Sequence, residues 1–310
     1  MIRYVIGRLV QIVPVLFGIS LVVFLLVRLI PGDPAIAVLG SRATPELIQR
    51  VHDQLGLDLP LWRQYVHYLA NALRGDFGVS FFYQANVWEL TMARLPTTLA
   101  LMAYSIVLSF AAAIPFSVVA AMRRNGLADA SIRLGSTVAL GIPPFWLGIV
   151  LALFLGARLK LLPISGGGAG GLDTIYHLTL PALTIASALT PILVRTLRSS
   201  LIEVIGSDYV TTGRAMGIAR RYLLTSYLLR NSFRPVITVL SINVGYLIGG
   251  TVVAEQIFSV PGVGSLLIGS IATRDYAIIQ LATLLFAILV VLANLAADLL
   301  YRILDPRVTL

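Results

Sequence analysis

Six long apolar segments constrain this chain more than any other feature of its sequence. A helix that crosses a bilayer needs roughly 20 mostly apolar residues. The sequence predicts six such spans, at Leu9–Ile30, Thr97–Ala121, Leu134–Ala157, Leu178–Leu197, Val236–Ile257 and Ile278–Tyr301. The first is long enough to span and has no small-residue cleavage site after it, so we expect a retained helix rather than a signal peptide. The predicted fold class is an all-α membrane protein with about six transmembrane helices.

Composition excludes several kinds of site. Apolar residues make up 58% of the chain and charged residues 12%, whereas a soluble domain carries about a quarter charged residues. Lys160 is the only lysine, and its neighbours do not form the Gly-Lys-Ser/Thr sequence of a phosphate-binding P-loop. Cysteine is absent from the sequence. His52, His67 and His177 are too scattered to indicate a metal site.

The basic residues indicate how the chain is oriented in the membrane. With the N-terminus inside, the inside segments contain few carboxylates and a long set of arginines: Arg3, Arg8, Arg123, Arg124, Arg133, Arg195, Arg198, Arg214, Arg220, Arg221, Arg230, Arg234, Arg302 and Arg307. The outside segments mix basic and acidic residues in similar numbers. An excess of Arg and Lys marks the cytoplasmic side, so both termini are predicted to be cytoplasmic. The net charge of +9 is then a topology signal, with nucleic-acid binding as the weaker alternative.

Two outside segments are long enough to have structure of their own. Residues 31–96 are predicted to be an extracytoplasmic helical insertion, with short helices at Glu46–Gly56 and Leu61–Leu73, where apolar residues recur at spacings of three and four. The segment Ser165–Gly171 reads SGGGAGG. Because no helix with a basic residue follows it, we predict a flexible loop rather than a phosphate cradle.

The inside loop at residues 199–235 carries the most information about function. Ser207 is suited to cap a helix that begins at Asp208, and Gly217 to end it in a left-handed conformation. A second helix is predicted from about Ala219 to Phe233, with Pro235 at the turn into the fifth span. The product is a cytoplasmic helix–glycine–helix elbow.

This elbow is predicted to have two surfaces. Its basic rim consists of Arg214, Arg220, Arg221 and Arg230, and its apolar face of Tyr209, Val210, Ala215, Met216 and Ile218. Three interpretations remain open on these residues alone: an amphipathic loop on lipid headgroups, a nucleic-acid contact, or a knob that docks into a groove on a partner protein.

The loop resembles the EAA loop of binding-protein-dependent ABC importer permeases, aligned on Gly217. The E-A-A triplet is replaced by Thr211, Thr212 and Gly213, and Arg230 stands where that family has proline. The dipeptide/oligopeptide branch departs similarly, and its pattern matches Asp208-Tyr209-Val210, Thr212, Arg214-Ala215, Gly217 and Leu229-Arg230-Asn231. Gly213 and Met216 differ from the alanine and lysine of that branch. Gly213 is expected to weaken the first helix by up to about 1 kcal/mol.

The resemblance covers nearly the whole chain, as in the B-type permease subunit of peptide importers. Further matches are Pro31-Gly32-Asp33-Pro34, His177-Leu178, Leu180-Pro181-Ala182, Arg195, Arg198, Glu255, Phe258, Pro261-Gly262, Gly264, Arg274-Asp275-Tyr276, Asn294, Asp298-Leu299, Tyr301 and Asp305-Pro306-Arg307. The resemblance implies a type I importer permease fold in a bacterial inner membrane, with residues 1–310 as a single permease domain.

The same resemblance implies partners and roles. A second homologous permease, two P-loop ATPases and an extracytoplasmic substrate-binding protein would complete the importer, with ATP and magnesium bound only in the ATPases and no cofactor in this chain. The chain itself would catalyse no reaction. The ATPase-coupling residues would be Asp208, Tyr209, Arg214, Ala215, Met216, Gly217 and Ile218.

Polar residues near the last two spans are candidates for the translocation pathway or its gate, because ionisable groups in a membrane are costly and often functional. Asn243 lies well inside the fifth span, and Glu255 and Asp298 lie near span ends, where we expect water to reach them. Asn243 is a pathway candidate, with interhelical hydrogen bonding as an equal alternative. Glu255 is weighed between helix pairing and substrate contact. The segment from Phe258 through Pro261 to Gly269 is predicted to be either a partly re-entrant outer gate or an ordinary turn.

Two other classes of function compete with the importer. A secondary transporter would show internal repeats and mid-membrane carboxylates, and a membrane enzyme would show a catalytic motif such as HExxH or GxSxG. Neither pattern occurs in the sequence. Short peptides are the favoured substrate, and glutathione, nickel chelates and haem are the alternatives within the same branch.

Overall fold

The computed structural model describes residues 13–25, 44–46, 49, 52, 59–80 and 82–304, with side chains up to residue 300. A short antiparallel hairpin pairs β1 (Val79–Ser80) with β2 (Ala85–Asn86), with Ser80 opposite Ala85. The helices are α1 (Val13–Leu25), α2 (Leu61–Leu73), α3 (Val87–Met122), α4 (Leu127–Gly141), α5 (Pro144–Arg158), α6 (Leu172–Ile205), α7 (Asp208–Ala215), α8 (Arg220–Ile242), α9 (Val244–Ile257), α10 (Val263–Thr273) and α11 (Tyr276–Leu304).

The helices correspond closely to the predicted spans. α3, α6 and α11 are long and apolar enough to cross a membrane, and the bent pairs α4–α5 and α8–α9 raise the number to five when each pair counts as one span. α1 lies within the first predicted span, Leu9–Ile30, whose ends are outside the described residues. The prediction of an all-α membrane protein is confirmed.

The third predicted span, Leu134–Ala157, is broken rather than continuous. α4 and α5 meet at an angle of 98°. Ile142 and Pro143 both have extended backbone, with ψ values of 121° and 129°. Consecutive prolines cause this break, because each proline disfavours helical backbone in the residue before it. Pro144 then begins α5 at a position where its missing N–H costs nothing.

The fifth predicted span, Val236–Ile257, ends at the predicted residue, but its predicted start is wrong and it is bent. Pro235 does not end a helix, since α8 runs through it to Ile242 and includes a π-helical turn at Leu223–Leu229. The break falls instead at Asn243, where α8 and α9 differ in direction by 56°. The Asn243 side-chain amide donates to the Val239 carbonyl at 2.7 Å, and the Asn243 backbone N–H donates to the same oxygen at 3.1 Å. Such local bonding by an asparagine competes with helix continuation.

Two contacts with α6 favour a broken span over a re-entrant loop for α4–α5. Near the start of α4, Asp129 binds Arg198, and just beyond α5 the Leu161 carbonyl accepts a 2.8 Å hydrogen bond from the Tyr176 hydroxyl. The 22 residues from Tyr176 to Arg198 cover roughly 33 Å of helix, about the thickness of a hydrocarbon core. The bent pair therefore runs along α6 over a length that matches the thickness of a hydrocarbon core.

The described residues divide into two compact units, the larger formed by Leu99–Val260 and Leu292–Leu310. α6 is central to this unit and packs against α4, α5, α8 and α9. In the most apolar stretch of α6, 67% of the residues are buried, whereas 33% are buried in the corresponding stretches of α3 and of α11. Protein neighbours rather than lipid surround α6, which explains how it tolerates Pro181, Pro191 and several hydroxyl residues that dilute its hydropathy.

The smaller unit comprises Met1–Thr98 and Pro261–Val291. Helix α2 has the predicted bounds Leu61–Leu73, and of the predicted helix Glu46–Gly56 only Glu46, Gln49 and His52 are described, all helical. The Tyr65 hydroxyl lies 2.8 Å from Ser20 Oγ of α1. The hairpin was not predicted. It is fixed by the buried Ser80 hydroxyl, which donates to Asp275 Oδ2 at 2.5 Å just before α11.

Candidate coupling site and pathway residues

Helix α7 has the predicted beginning, although its cap works differently. Ser207 occupies the N-cap position and Asp208 the first turn. The Ser207 hydroxyl, however, donates to the Val204 carbonyl at 2.6 Å instead of accepting from α7. The Ser207 carbonyl accepts from the N–H groups of Val210 and Thr211 at 3.2 and 3.1 Å. The backbone of Ser207 therefore joins the end of α6 to α7, while its side chain holds the preceding turn.

The end of α7 is a Schellman motif centred on Gly217. Gly217 has a φ of +73°, as the sequence predicts. The Ile218 N–H donates to the Gly213 carbonyl at 3.1 Å, and the Gly217 N–H donates to the Arg214 carbonyl at 3.0 Å. This pattern satisfies carbonyls that a helix end otherwise leaves free. A Cβ on Gly217 would meet nothing within 4 Å, so the positive φ, not lack of space, favours glycine here.

The predicted apolar face of the elbow divides into an inner and an outer part. Val210 is fully buried and Ile218 is half-buried, so these two hold α7 to the protein. A Cβ on the buried Gly213 would lie 3.0 Å from Leu223 Cδ2 and 3.6 Å from Ile218 Cδ1. Gly213 therefore lets α8 approach α7 closely, which offsets the loss of helix propensity expected from the sequence.

The outer part is a surface that we call the coupling patch. Tyr209 is 44% exposed and Met216 is 76% exposed. The patch consists of Tyr209, Ala215 and Met216, with exposed Arg214, Arg220 and Arg221 beside them along the chain. Large exposed apolar side chains bordered by charge are typical of a surface that binds another protein.

Two features that support the coupling patch were missed by sequence reasoning. The Tyr227 ring stacks on Tyr209 at 6.4 Å between centroids and meets Tyr222 edge-on at 6.0 Å. These contacts join α7 to the π-helical turn of α8. The tyrosines are visible in the sequence, but Tyr227 lies 18 residues beyond Tyr209, on the other side of the turn at Gly217, so the two rings belong to different helices.

The second missed feature is a buried ion pair near the base of the elbow. Arg198 Nε and Nη2 each donate to Asp129 at 2.6 Å, and the Asn125 N–H donates to Asp129 Oδ2 at 3.0 Å. The Asp129 side chain has no exposed surface, and Arg133 lies 3.6 Å from it. Such a two-bond pair fixes orientation as well as distance. It holds α4 against α6 only two turns before the end of α6 at Ile205.

The pathway candidates do not form a single cluster. Asn243 is half-buried at the α8–α9 break, whereas Glu255 and Phe258 lie near the other end of α9, about 20 Å away at 1.5 Å per residue. Glu255 is fully buried, so the expectation that water reaches it is wrong. Phe258 is also buried, and its carbonyl accepts from the Gly166 N–H at 3.1 Å. Pro261 is exposed, and the short helix α10 follows it.

Comparisons with known proteins agree with this architecture. Residues 113–310 match the family described as binding-protein-dependent transport system inner membrane component, and residues 1–102 match the N-terminal part of such membrane components. In solved structures the chain is similar to the methionine ABC transporter MetNI in inward-facing conformations, with a TM-score of 0.57 and 18% identity over 70% of this chain and 96% of that one. This likeness shows a shared type I importer permease fold.

Curated relatives cover the full length of the chain. It is 37% identical to the glutathione transport system permease protein GsiC of Escherichia coli (strain K12), over 99% of both chains. It is 34% identical to the dipeptide transport system permease protein DppB of the same strain, again over 99% of both. The chain therefore belongs to the family of binding-protein-dependent transport system inner membrane components, the permease subunits of ABC importers.

Proposed function

We propose that this permease imports short peptides and that its coupling patch docks into a groove on a cytoplasmic ATPase. The observation that carries the proposal is the position of the patch. Tyr209 and Met216 project from an eight-residue helix closed by a Schellman motif, and a short rigid helix with exposed apolar anchors suits helix-in-groove binding. The arginines beside the patch favour an acidic rim on the partner groove.

The described contacts also suggest how force reaches the membrane helices. The close approach of Leu223 to Gly213 attaches α7 to α8, and the Tyr209–Tyr227 stack adds a second connection. Displacement of α7 by ATPase closure would therefore move α8 with it. ATP and magnesium bind in two partner ATPases, and a second, homologous permease completes the path. We place both termini on the cytoplasmic side with the coupling patch.

The substrate class rests on the relatives. One is named a dipeptide permease and another a glutathione permease, and both substrates are small molecules with peptide bonds. Dipeptides, longer oligopeptides and glutathione are therefore the substrates to test, and an extracytoplasmic binding protein would choose among them. Within the membrane, we assign Asn243 to the pathway because the bend exposes a polar side chain there, and Glu255, Phe258 and Pro261 to the outer gate.

The test exploits the backbone of Gly217. We would compare Gly217→Val with Gly217→Asn, since asparagine tolerates left-handed backbone and a β-branched residue does not. The full chain would be purified in mild detergent from its native membrane and its co-purifying subunits identified by mass. ATP-dependent uptake of labelled dipeptide and labelled glutathione would then be measured in vesicles containing the recovered complex. Strain of about 1–3 kcal/mol predicts roughly fivefold or greater loss of ATPase recovery and of uptake for the valine variant.

Two controls and two contradicting outcomes make the result decisive. Both variants should insert into the membrane at the wild-type level, and the asparagine variant should retain most of the uptake. Full ATPase recovery with the valine variant would contradict the coupling role of α7. Recovery of the wild-type chain without any P-loop ATPase, together with ATP-independent uptake, would contradict the proposed mechanism.

A further inference from the structure

A surface pocket lies at the end of α6 opposite the coupling loop. Its volume is about 520 Å³, and its polar lining is Lys160, Ser165, Tyr176 and His177. The pocket is formed by the connection between α5 and α6 together with the first turns of α6. Neither the coupling patch nor the pathway candidates account for it.

The chain is ordered around this pocket by specific contacts. A Cβ on Gly156 would lie only 2.5 Å from Ile164 Cγ1, so the glycine is required for the connection to fold back over α5. The Tyr176 hydroxyl holds the Leu161 carbonyl.

The glycine-rich segment Ser165–Gly171 is held as well. The Ala169 N–H donates to Asp173 Oδ2 at 2.6 Å, and Gly166 is bonded to Phe258. A Cβ on Gly168 would lie 2.7 Å from the Thr174 backbone. These contacts overturn the prediction of a flexible loop, and they make the pocket a built feature.

The electrostatics of the pocket favour an anion. Lys160 is the only lysine in the chain and is exposed, with a left-handed φ of +52° that ordinary side chains avoid. In the part of the chain that the structure describes, no carboxylate lies within ion-pair distance of Lys160. The nearby Asp173 carboxylate is already bonded to Ala169 N–H and lies 3.4 Å from the His177 ring. The ammonium of Lys160 is thus left to face a ligand.

The surface around the pocket is apolar. We call the exposed side chains of Leu159, Leu161 and Ile175, which flank pocket-lining residues in the chain, the apolar collar; their exposed fractions are 46%, 59% and 48%. A free anion gains nothing from such a collar, whereas a lipid brings acyl chains to cover it. The exposed Tyr176 is typical of a membrane interface, where an aromatic ring and a polar tip are both satisfied.

We propose that this pocket binds the headgroup phosphate of an anionic phospholipid. Lys160 supplies the positive charge, Ser165, Tyr176 and His177 line the headgroup site, and the apolar collar contacts the acyl chains. Because Gly166 is bonded to Phe258, an occupied pocket would also hold the connection that follows α9.

The test measures lipid binding by the full chain in neutral detergent. Phosphatidylglycerol, phosphatidylcholine or inorganic phosphate would be added, and bound lipid and the thermal midpoint of unfolding would be measured. Wild type should bind phosphatidylglycerol in preference to phosphatidylcholine. Lys160→Met should bind phosphatidylglycerol roughly fivefold more weakly, as expected for one basic side chain at a lipid surface. Lys160→Arg should retain binding, and so should Arg158→Gln, which removes a neighbouring charge outside the pocket lining.

Each other outcome would overturn the proposal. Equal binding of phosphatidylglycerol by wild type and Lys160→Met would remove Lys160 from the site. Equal binding of phosphatidylglycerol and phosphatidylcholine, with equal shifts of the thermal midpoint, would exclude recognition of the lipid's net charge. A rise in the thermal midpoint with inorganic phosphate as large as the rise with phosphatidylglycerol would indicate a site for free phosphate instead.

Discussion

At the scale of single residues, the Asp129–Arg198 pair explains how the coupling loop is positioned. Asp129 is fully buried, and Arg198 gives it two hydrogen bonds at 2.6 Å each. Two buried charges cost desolvation, so such a pair adds little net stability, but loss of one partner leaves the other charge unpaired. The pair thus acts mainly as a positional constraint between α4 and α6.

This constraint gives a direct prediction for Arg198→Met. The variant should lower the free energy of unfolding by about 3 kcal/mol, because a buried carboxylate loses its main partner. The double variant Asp129→Leu with Arg198→Met should recover most of that loss. Arg195→Met is the matched control, since Arg195 is an exposed arginine one turn earlier on α6. Thermal or denaturant unfolding in detergent measures all four proteins, and a double variant less stable than Arg198→Met alone would contradict the account.

Sequence reasoning succeeded for residues whose role is local. Gly217 was predicted to adopt a left-handed conformation because a glycine there separates two helical patterns, and its φ is +73°. Sequence reasoning failed for residues whose role depends on neighbours that are distant in the chain. Asp129 and Arg198 are 69 positions apart; in the sequence Asp129 is only one more charge on the cytoplasmic side, and Arg198 is an arginine of that side and a match to the permease family, with nothing that links the two. Tyr209 and Tyr227 also lie on different helices, which is why their stacking was not predicted.

At the scale of elements, hydropathy located the spans but not their breaks. Apolar residues continue through Ile142 and Asn243, so a count of apolar residues passes both bends without a signal. The Pro143–Pro144 pair was a usable signal for the first bend, since it forces extended backbone. Pro235 was misleading, because a proline inside a membrane helix is tolerated when nearby backbone is satisfied in other ways.

The unpredicted hairpin carries a prediction at this scale. Ser80 Oγ donates to the buried Asp275 and accepts from the Tyr83 N–H at 3.0 Å. Ser80→Ala removes both bonds and leaves a buried carboxylate short of a partner, at a cost of about 1–3 kcal/mol. We expect faster hydrogen exchange across the hairpin and the first turn of α11. Ser131→Ala is the control, since that exposed hydroxyl bonds only to carbonyls of its own helix. Unchanged exchange in the Ser80 variant would show that the hairpin is held by other contacts.

At the scale of the whole molecule, topology follows from where the bent pair α4–α5 begins and ends. Asp129 places the start of α4 beside the C-terminal part of α6, and Leu161 lies beside its N-terminal part. The chain must then change sides between Leu127 and Leu172 and return along α6 to the coupling loop. The arginine-rich segments lie at the coupling-loop end, so that end should be cytoplasmic.

Single cysteines test this topology cleanly, because the natural sequence contains none. Leu127 and Leu172 are 91% and 84% exposed, so cysteine at either position should react readily. In sealed cells, a membrane-impermeant maleimide should label Leu172→Cys and leave Leu127→Cys and Thr309→Cys unlabelled until the membrane is opened. Labelling of both Leu127→Cys and Leu172→Cys from the same side would make α4–α5 re-entrant. The reverse pattern, with Leu127→Cys labelled and Leu172→Cys protected in sealed cells, would place the two ends of α6 on sides opposite to those argued here, and it would remove the coupling patch from the cytoplasm where its ATPase must lie.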